Sequence, residues 1–179
     1  MQIEQCGLSE RVRVEFVATR VPESPVLEYT PTGKVPMLVL EDGTAIGEVR
    51  LICEYLDDLH DGPAFAPLTR TVEERALEGM AVGFNDGAAV WVREARRPSN
   101  EQAPGIVQQE RARAQRCMIY LDTLALRPAT DFTMCSILMP IWRLDYALPD
   151  FEWQSQLGRL AAWYETQVAL PSFVDTLPE

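Results

Sequence analysis

Histidine is almost missing from this 179-residue chain, with His60 alone. The four cysteines, Cys6, Cys53, Cys117 and Cys135, form no C-x-x-C pair and no metal-ligand spacing. A zinc site and a dithiol redox centre both lack their usual ligands, so no metal is expected. Three of the cysteines, Cys53, Cys117 and Cys135, lie in apolar segments and read as buried, inert thiols of a reducing compartment. His60, in D-D-L-H-D-G, reads as a partner for a helix C-terminal dipole. No apolar run approaches the roughly 18 residues of a membrane span. The N-terminus MQIEQCGLSE is too polar for a signal peptide, and a cytoplasmic location is expected. Basic residues are scarce, 16 against 27 acidic ones, for a net charge of −11. That field repels nucleic acid and anionic membranes, and neither is an expected partner.

What remains is an ordinary globular composition, 47% hydrophobic and 24% charged, long enough for a core without staples. Residues 1–6 read as the end of a helix stopped by Gly7. Arg11–Phe16 alternates, with Val12, Val14 and Phe16 on one face, and predicts a half-buried strand. Pro22, Pro25, Pro31 and Gly33 mark a loop. Met37–Leu40 is a short apolar strand, Asp42-Gly43 a hairpin turn, and Ala45-Ile46 the return strand. From about Glu48 the period becomes helical, through Leu51, Ile52, Tyr55, Leu56 and Leu59.

After DGPAFAPL at 61–68 no strand is predicted. One long helix runs from Val72 to Ala95, ended by Pro98 and Pro104. A second runs from Ile106 to Leu124. A third is capped by Thr133 and kinked at Pro140. A fourth spans Leu157–Val168, closed by Pro171. Gly79, Gly83 and Gly87 recur every four residues on the long helix, where each costs about 1 kcal/mol against alanine. They predict a close approach of backbone, by a neighbouring helix, a partner subunit or a ligand.

Two features sit together in T-G-K-V-P-M-L-V-L-E-D-G-T-A-I-G-E-V-R-L-I-C-E-Y-L, Thr32–Leu56. Val35-Pro36 precedes a strand, where a proline that cannot donate to the ladder either simply opens the strand or, in cis, turns Val35's backbone outward to pair with an extended peptide. Glu48-Val49 opens a helix, whose free N–H groups and positive dipole end suit a carboxylate, or whose glutamate simply complements that dipole. A pairing edge beside a helix N-terminus suits a short peptide with a free α-carboxylate.

The ordered segment resembles the glutathione-binding half of the cytosolic glutathione transferases, in a bacterial type. F-N-D-G-A-A-V, R-E-A-R-R-P, L-A-A-W-Y-E and L-P-S-F resemble the same family. The resemblance implies a thioredoxin-like α/β domain over 1–62, incomplete at its start, and an all-helical domain over 63–179 with a second-substrate site and dimer contacts. It implies glutathione as co-substrate, a small electrophile as partner, and a homodimer. Val35 would pair through its backbone with the cysteinyl part of glutathione, Pro36 would be the cis proline, and Glu48 and Val49 would hold the γ-glutamyl end. Lys34 would lie near the peptide, and Asn85 and Asp86 would edge an apolar second pocket.

Three positions depart from the family pattern. Val49 stands where a serine is usual, and its hydroxyl is lost. The first strand and helix start that carry the family's catalytic serine, tyrosine or cysteine are expected before this chain's first residue, so the catalytic residue is unknown. Ser136 stands where an aspartate is usual after the third helix's cap. The rival to a transferase is a non-catalytic binding or regulatory protein of the same fold. A glutaredoxin-like oxidoreductase is disfavoured because C-x-x-C is absent.

Overall fold

A computed structural model describes residues 1–177. They group into two units, Met1–Leu68 and a second beginning at Thr69. The first unit contains α1 (Gln2–Gln5), a 3₁₀ turn (Pro25–Glu28), β1 (Met37–Val39), β2 (Ala45–Gly47) and α2 (Val49–Asp57). The second contains α3 (Val72–Ala95), α4 (Pro104–Asp122), α5 (Phe132–Ala147), α6 (Gly158–Val168) and α7 (Pro171–Val174).

β1 and β2 pair antiparallel, with Leu38 opposite Ile46. The turn between them follows its sequence closely. Gly43 sits at φ +85°, a conformation that glycine adopts without steric cost. Asp42 Oδ1 accepts the Thr44 N–H at 2.8 Å. That backbone bond holds the Asp42 carboxyl below its ordinary range.

The predicted strand at Arg11–Phe16 does not form; the chain there is irregular and Phe16 is 91% exposed. Alternation sets which side chains share a face, but a strand also needs a neighbour for its N–H and C=O groups. Among the described residues β1 and β2 pair only with each other.

α2 holds the first unit together. Its buried face carries Cys53 and Leu56. The Gln2 amide on α1 donates to the Cys53 carbonyl and to Asp57 Oδ1, each at 2.9 Å. Asp57 also accepts the backbone N–H of Phe65 at 2.9 Å and of Ala66 at 2.7 Å. Arg50 pairs with Glu54 at 2.8 Å and donates to the carbonyls of Ala66 and Pro67. Residues 65–67 are thereby fixed against α2, and Phe65 and Ala66 are buried.

The helical unit matches its sequence pattern nearly to the residue. α3 opens with a reciprocal cap: Thr71 Oγ1 accepts the Glu74 N–H, and Glu74 Oε2 accepts the Thr71 N–H, as the spacing T-x-x-E allows. Pro104 occupies the first turn of α4, where its missing N–H costs nothing. α5 runs unbroken through Pro140 and is buried over Phe132–Cys135, Ile137, Leu138, Ile141 and Leu144, as expected of a helix apolar all round. Its cap is Asp131, whose Oδ1 accepts the Met134 N–H at 2.9 Å. Thr133, the expected cap, lies inside the first turn instead. Its hydroxyl donates to Glu78 Oε2 at 3.3 Å; the helix already begins at Phe132, so the cap position falls on Asp131.

The glycine stripe divides. A Cβ on Gly79 or Gly83 would meet no atom within 4 Å, whereas on Gly87 it would come 2.5 Å from Glu110 Oε2 and 2.7 Å from Arg113 Cδ. Among the described residues, the close approach expected of all three belongs to Gly87 alone. There α3 packs on a buried Glu110 that pairs with Arg113 at 2.8 Å. Gly87→Ala is therefore expected to destabilise the chain by roughly 1–3 kcal/mol through overpacking. Gly83→Ala, also in the interior of α3, is expected to stabilise it by up to about 1 kcal/mol. Urea-unfolding midpoints of the two variants check the opposite signs.

Candidate functional site

The residues around the cis Val35–Pro36 peptide and the start of α2 form the candidate site. Glycine at 33, with φ +59°, lets the chain turn into Lys34 and Val35. Val35 is 50% exposed, and the β1 ladder starts two residues later at Met37. Among the described residues its N–H and C=O enter no hydrogen bond. An extended peptide could pair with both. Lys34 is exposed beside it.

β2 ends at Gly47 and leads into Glu48, which caps α2 at φ +71°. That is a left-handed conformation uncommon for a glutamate. The Glu48 carbonyl accepts the Ile52 N–H at 3.0 Å, while its carboxylate folds back to accept the Val49 N–H, also at 3.0 Å. So the carboxylate already sits where an anion would meet the first free N–H and the positive end of the helix dipole. The next exposed turn residue, Leu51, has no acceptor for its N–H among the described residues. The Val49 side chain is 42% exposed and contributes packing but no donor.

The two thiols of the first unit are held in their protonated form. Burial pushes the Cys53 thiol up to about 12, with Asp57 adding to it. The half-buried Cys6 thiol is raised by the same two causes. Cys117 was expected to be buried and is half-buried, with its thiol raised by burial. Raised values keep the thiol protonated and poorly nucleophilic. Ser24 is buried and donates its hydroxyl to the Ala18 carbonyl at 2.7 Å.

Cys6, Asp57 and His60 bring three potential ligand atoms within 4.8 Å of one another. The donor set does not fit a metal. His60 Nδ1 accepts the Gly62 N–H at 3.0 Å, so the neutral ring carries its proton on Nε2, the atom facing Asp57 at 3.4 Å. A metal-bound histidine normally has the reverse arrangement, with its outer nitrogen donating. The Asp57 carboxylate is moreover taken up by three N–H donors. His60, expected beside a helix C-terminus, lies two residues past the C-cap of α2 and there accepts the Gly62 N–H.

Two residues with defined roles escaped the sequence reading. Asp57 is one, although a carboxylate inside a helix's last turn is an available signal. Arg143 on α5 is the other; it donates to Asn85 Oδ1 on α3 at 3.1 Å. Asn85 is thus half-buried and engaged, while Asp86 is exposed.

Residues 2–59 match the family model described as the N-terminal domain of glutathione S-transferase. An uncharacterised GST-like protein of Escherichia coli K12, YibF, is 30% identical over 120 residues, which are 64% of this chain and 59% of that protein. The match therefore spans less than two thirds of that relative's length. A glutathione transferase family member from Pseudomonas fluorescens Pf-5, solved with bound S-(propanoic acid)-glutathione, is 27% identical. It superposes with a TM-score of 0.85, over 99% of this chain and 90% of its own. A glutathione S-transferase of Methylobacillus flagellatus KT, solved with glutathione bound, is 26% identical with a TM-score of 0.81, over 99% and 93% of the two chains. The fold is that of a glutathione transferase: a thioredoxin-like domain, here with a two-stranded sheet among the described residues, followed by an all-helical domain. Over residues 2–59 the chain is similar to the N-terminal domain of glutathione S-transferases, and over nearly its whole length it shares their fold. No helix among the described residues is long and apolar enough to cross a membrane.

Proposed function

We propose that this chain binds reduced glutathione and acts as a glutathione transferase, delivering its sulfur to a small electrophile. The observation that carries the reading is the Val35 backbone, without a partner among the described residues and outside the ladder at a cis Val35–Pro36 bond, in the same unit as the N-terminus of α2. The cysteinyl part of the peptide pairs with Val35. The γ-glutamyl carboxylate meets the dipole at Val49, where Glu48 moves off the Val49 N–H and turns to the ligand's ammonium group. Lys34 adds a positive charge beside the peptide. In the transfer the glutathione thiol loses its proton to water and the thiolate's electron pair forms the sulfur–carbon bond; in a substitution the leaving group departs with its bonding pair, and in an addition the acceptor's π pair takes up a proton from water. Positioned donors stabilise the thiolate. Two solved relatives of comparable identity hold glutathione or a conjugate of it, which supports the same ligand class here. The functional form is proposed to be a cytoplasmic homodimer.

A second reading, a non-catalytic binding protein of this fold, is favoured by the side chain at residue 49 and by the fold-back of Glu48 onto its N–H. Backbone amide mapping by NMR tests the shared binding step. Titration with reduced glutathione is expected to shift the Val35 and Val49 amide resonances together, saturably. Shifts that spare both residues would remove the site from either reading. Conjugation of a chloronitroarene, absent or present above the uncatalysed rate, then decides between the two.

A further inference from the structure

Four arginines among the described residues are half-buried: Arg50, Arg70, Arg113 and Arg143. Three face a carboxylate, Arg50 with Glu54, Arg70 with Glu78 and Arg113 with Glu110. Removing a guanidinium from water without such a partner is costly. Arg143 alone faces a neutral acceptor, the amide oxygen of Asn85 at 3.1 Å. The nearest acidic residue along its own helix, Asp145, is engaged elsewhere, accepting from Trp153, Gln154 and Tyr164. The charge close enough to matter is of the same sign: burial first and Arg96 second hold the Arg143 guanidinium below its ordinary value. In a chain of net charge −11, Arg143 is thus a half-buried cation with no carboxylate partner among the described residues. None of the remaining Arg143 nitrogens is buried without a partner, so the fork still has donors facing water. On one side of it along α5 lies Tyr146, stacked on Trp142 with ring centroids 5.5 Å apart.

We propose that Arg143, held in place by Asn85, binds the carboxylate of a small organic acid on the helical unit. A guanidinium fork matches a planar carboxylate in two parallel bonds. One fork, with a second charge at longer range, favours a monoanion in a protein whose overall field repels dianions. The proposal rests on the transferase reading in one respect only, that this acid is then the electrophile.

The test is calorimetric titration with sodium benzoate at low salt, with neutral benzamide as the shape control. The unsubstituted chain is expected to bind benzoate saturably, in roughly the millimolar range for so small a ligand, and benzamide not at all. Arg143→Gln is expected to weaken benzoate by roughly tenfold or more, and Arg143→Lys to recover part of it. Because Arg143→Gln removes an unpaired charge, its thermal midpoint should be unchanged or higher, so loss of binding cannot be put down to unfolding. Equal benzoate affinity in Arg143→Gln, or no saturable binding by the unsubstituted chain, would overturn the proposal. So would a fall in glutathione affinity in Arg143→Gln, which would give the arginine to the peptide's own carboxylate. Benzoate binding that persists in a chain with no affinity for glutathione would support the site while removing the transferase reading.

Discussion

Val49→Ser is expected to raise the affinity for reduced glutathione by roughly tenfold or more. The figure is the worth of one hydrogen bond to a charged group, about 1.5–3 kcal/mol. Residue 49 is the first of α2, with its N–H aimed where an anion meets the helix dipole. A serine hydroxyl there adds a second donor to the same carboxylate. The valine it replaces is substantially exposed, so little packing is lost. In the free chain the new hydroxyl is solvated, and the gain appears on binding. Competition of unlabelled glutathione against a fluorescent glutathione conjugate reads the change. Equal affinities in the two forms would contradict the placement of the γ-glutamyl carboxylate at this helix start.

Asp57→Ala is expected to lower stability by about 3 kcal/mol or more. The Asp57 side chain is 11% exposed and accepts from Gln2, Phe65 and Ala66 at once. Alanine leaves three N–H donors without their acceptor, each costing roughly 1–3 kcal/mol where water cannot replace it. The loss weakens the hold of α2 on α1 and on residues 65–66, leaving the Gln2–Cys53 and Arg50 bonds in place. Asp57→Asn should recover part of the stability, since one oxygen still accepts while the NH₂ faces a donor. Asp58→Ala, exposed one residue on, should stay within about 0.5 kcal/mol. Urea midpoints by circular dichroism separate the three variants. An Asp57→Ala midpoint close to that of Asp58→Ala would show that the three bonds do not hold the unit.

Elements that carry their own local signals were legible in the sequence. The hairpin was written in Asp42-Gly43, and the long helices in apolar spacing and in the prolines that bound them. The strand expected at Arg11–Phe16 failed because alternation describes a face, whereas a strand exists through a partner that local sequence does not name. Thr133 lost the cap to Asp131 because both residue types suit the position and geometry decides. The glycine stripe could be read as a need for space, yet of the three only Gly87 meets a neighbour among the described residues. The candidate site was partly legible: the ordered segment from Thr32 to Leu56 pointed to Val35, Pro36, Glu48 and Val49. That Glu48 folds its carboxylate onto the Val49 N–H depends on a backbone dihedral no motif encodes. Arg143 and Asn85 lie 58 residues apart in sequence, and only the packing of α3 on α5 brings them together.

Calorimetric titration of the unsubstituted chain with reduced glutathione tests the central claim most directly. Saturable binding at one site per chain, weaker than in Val49→Ser, is the predicted result. No detectable binding by either form, with both folded, would contradict it.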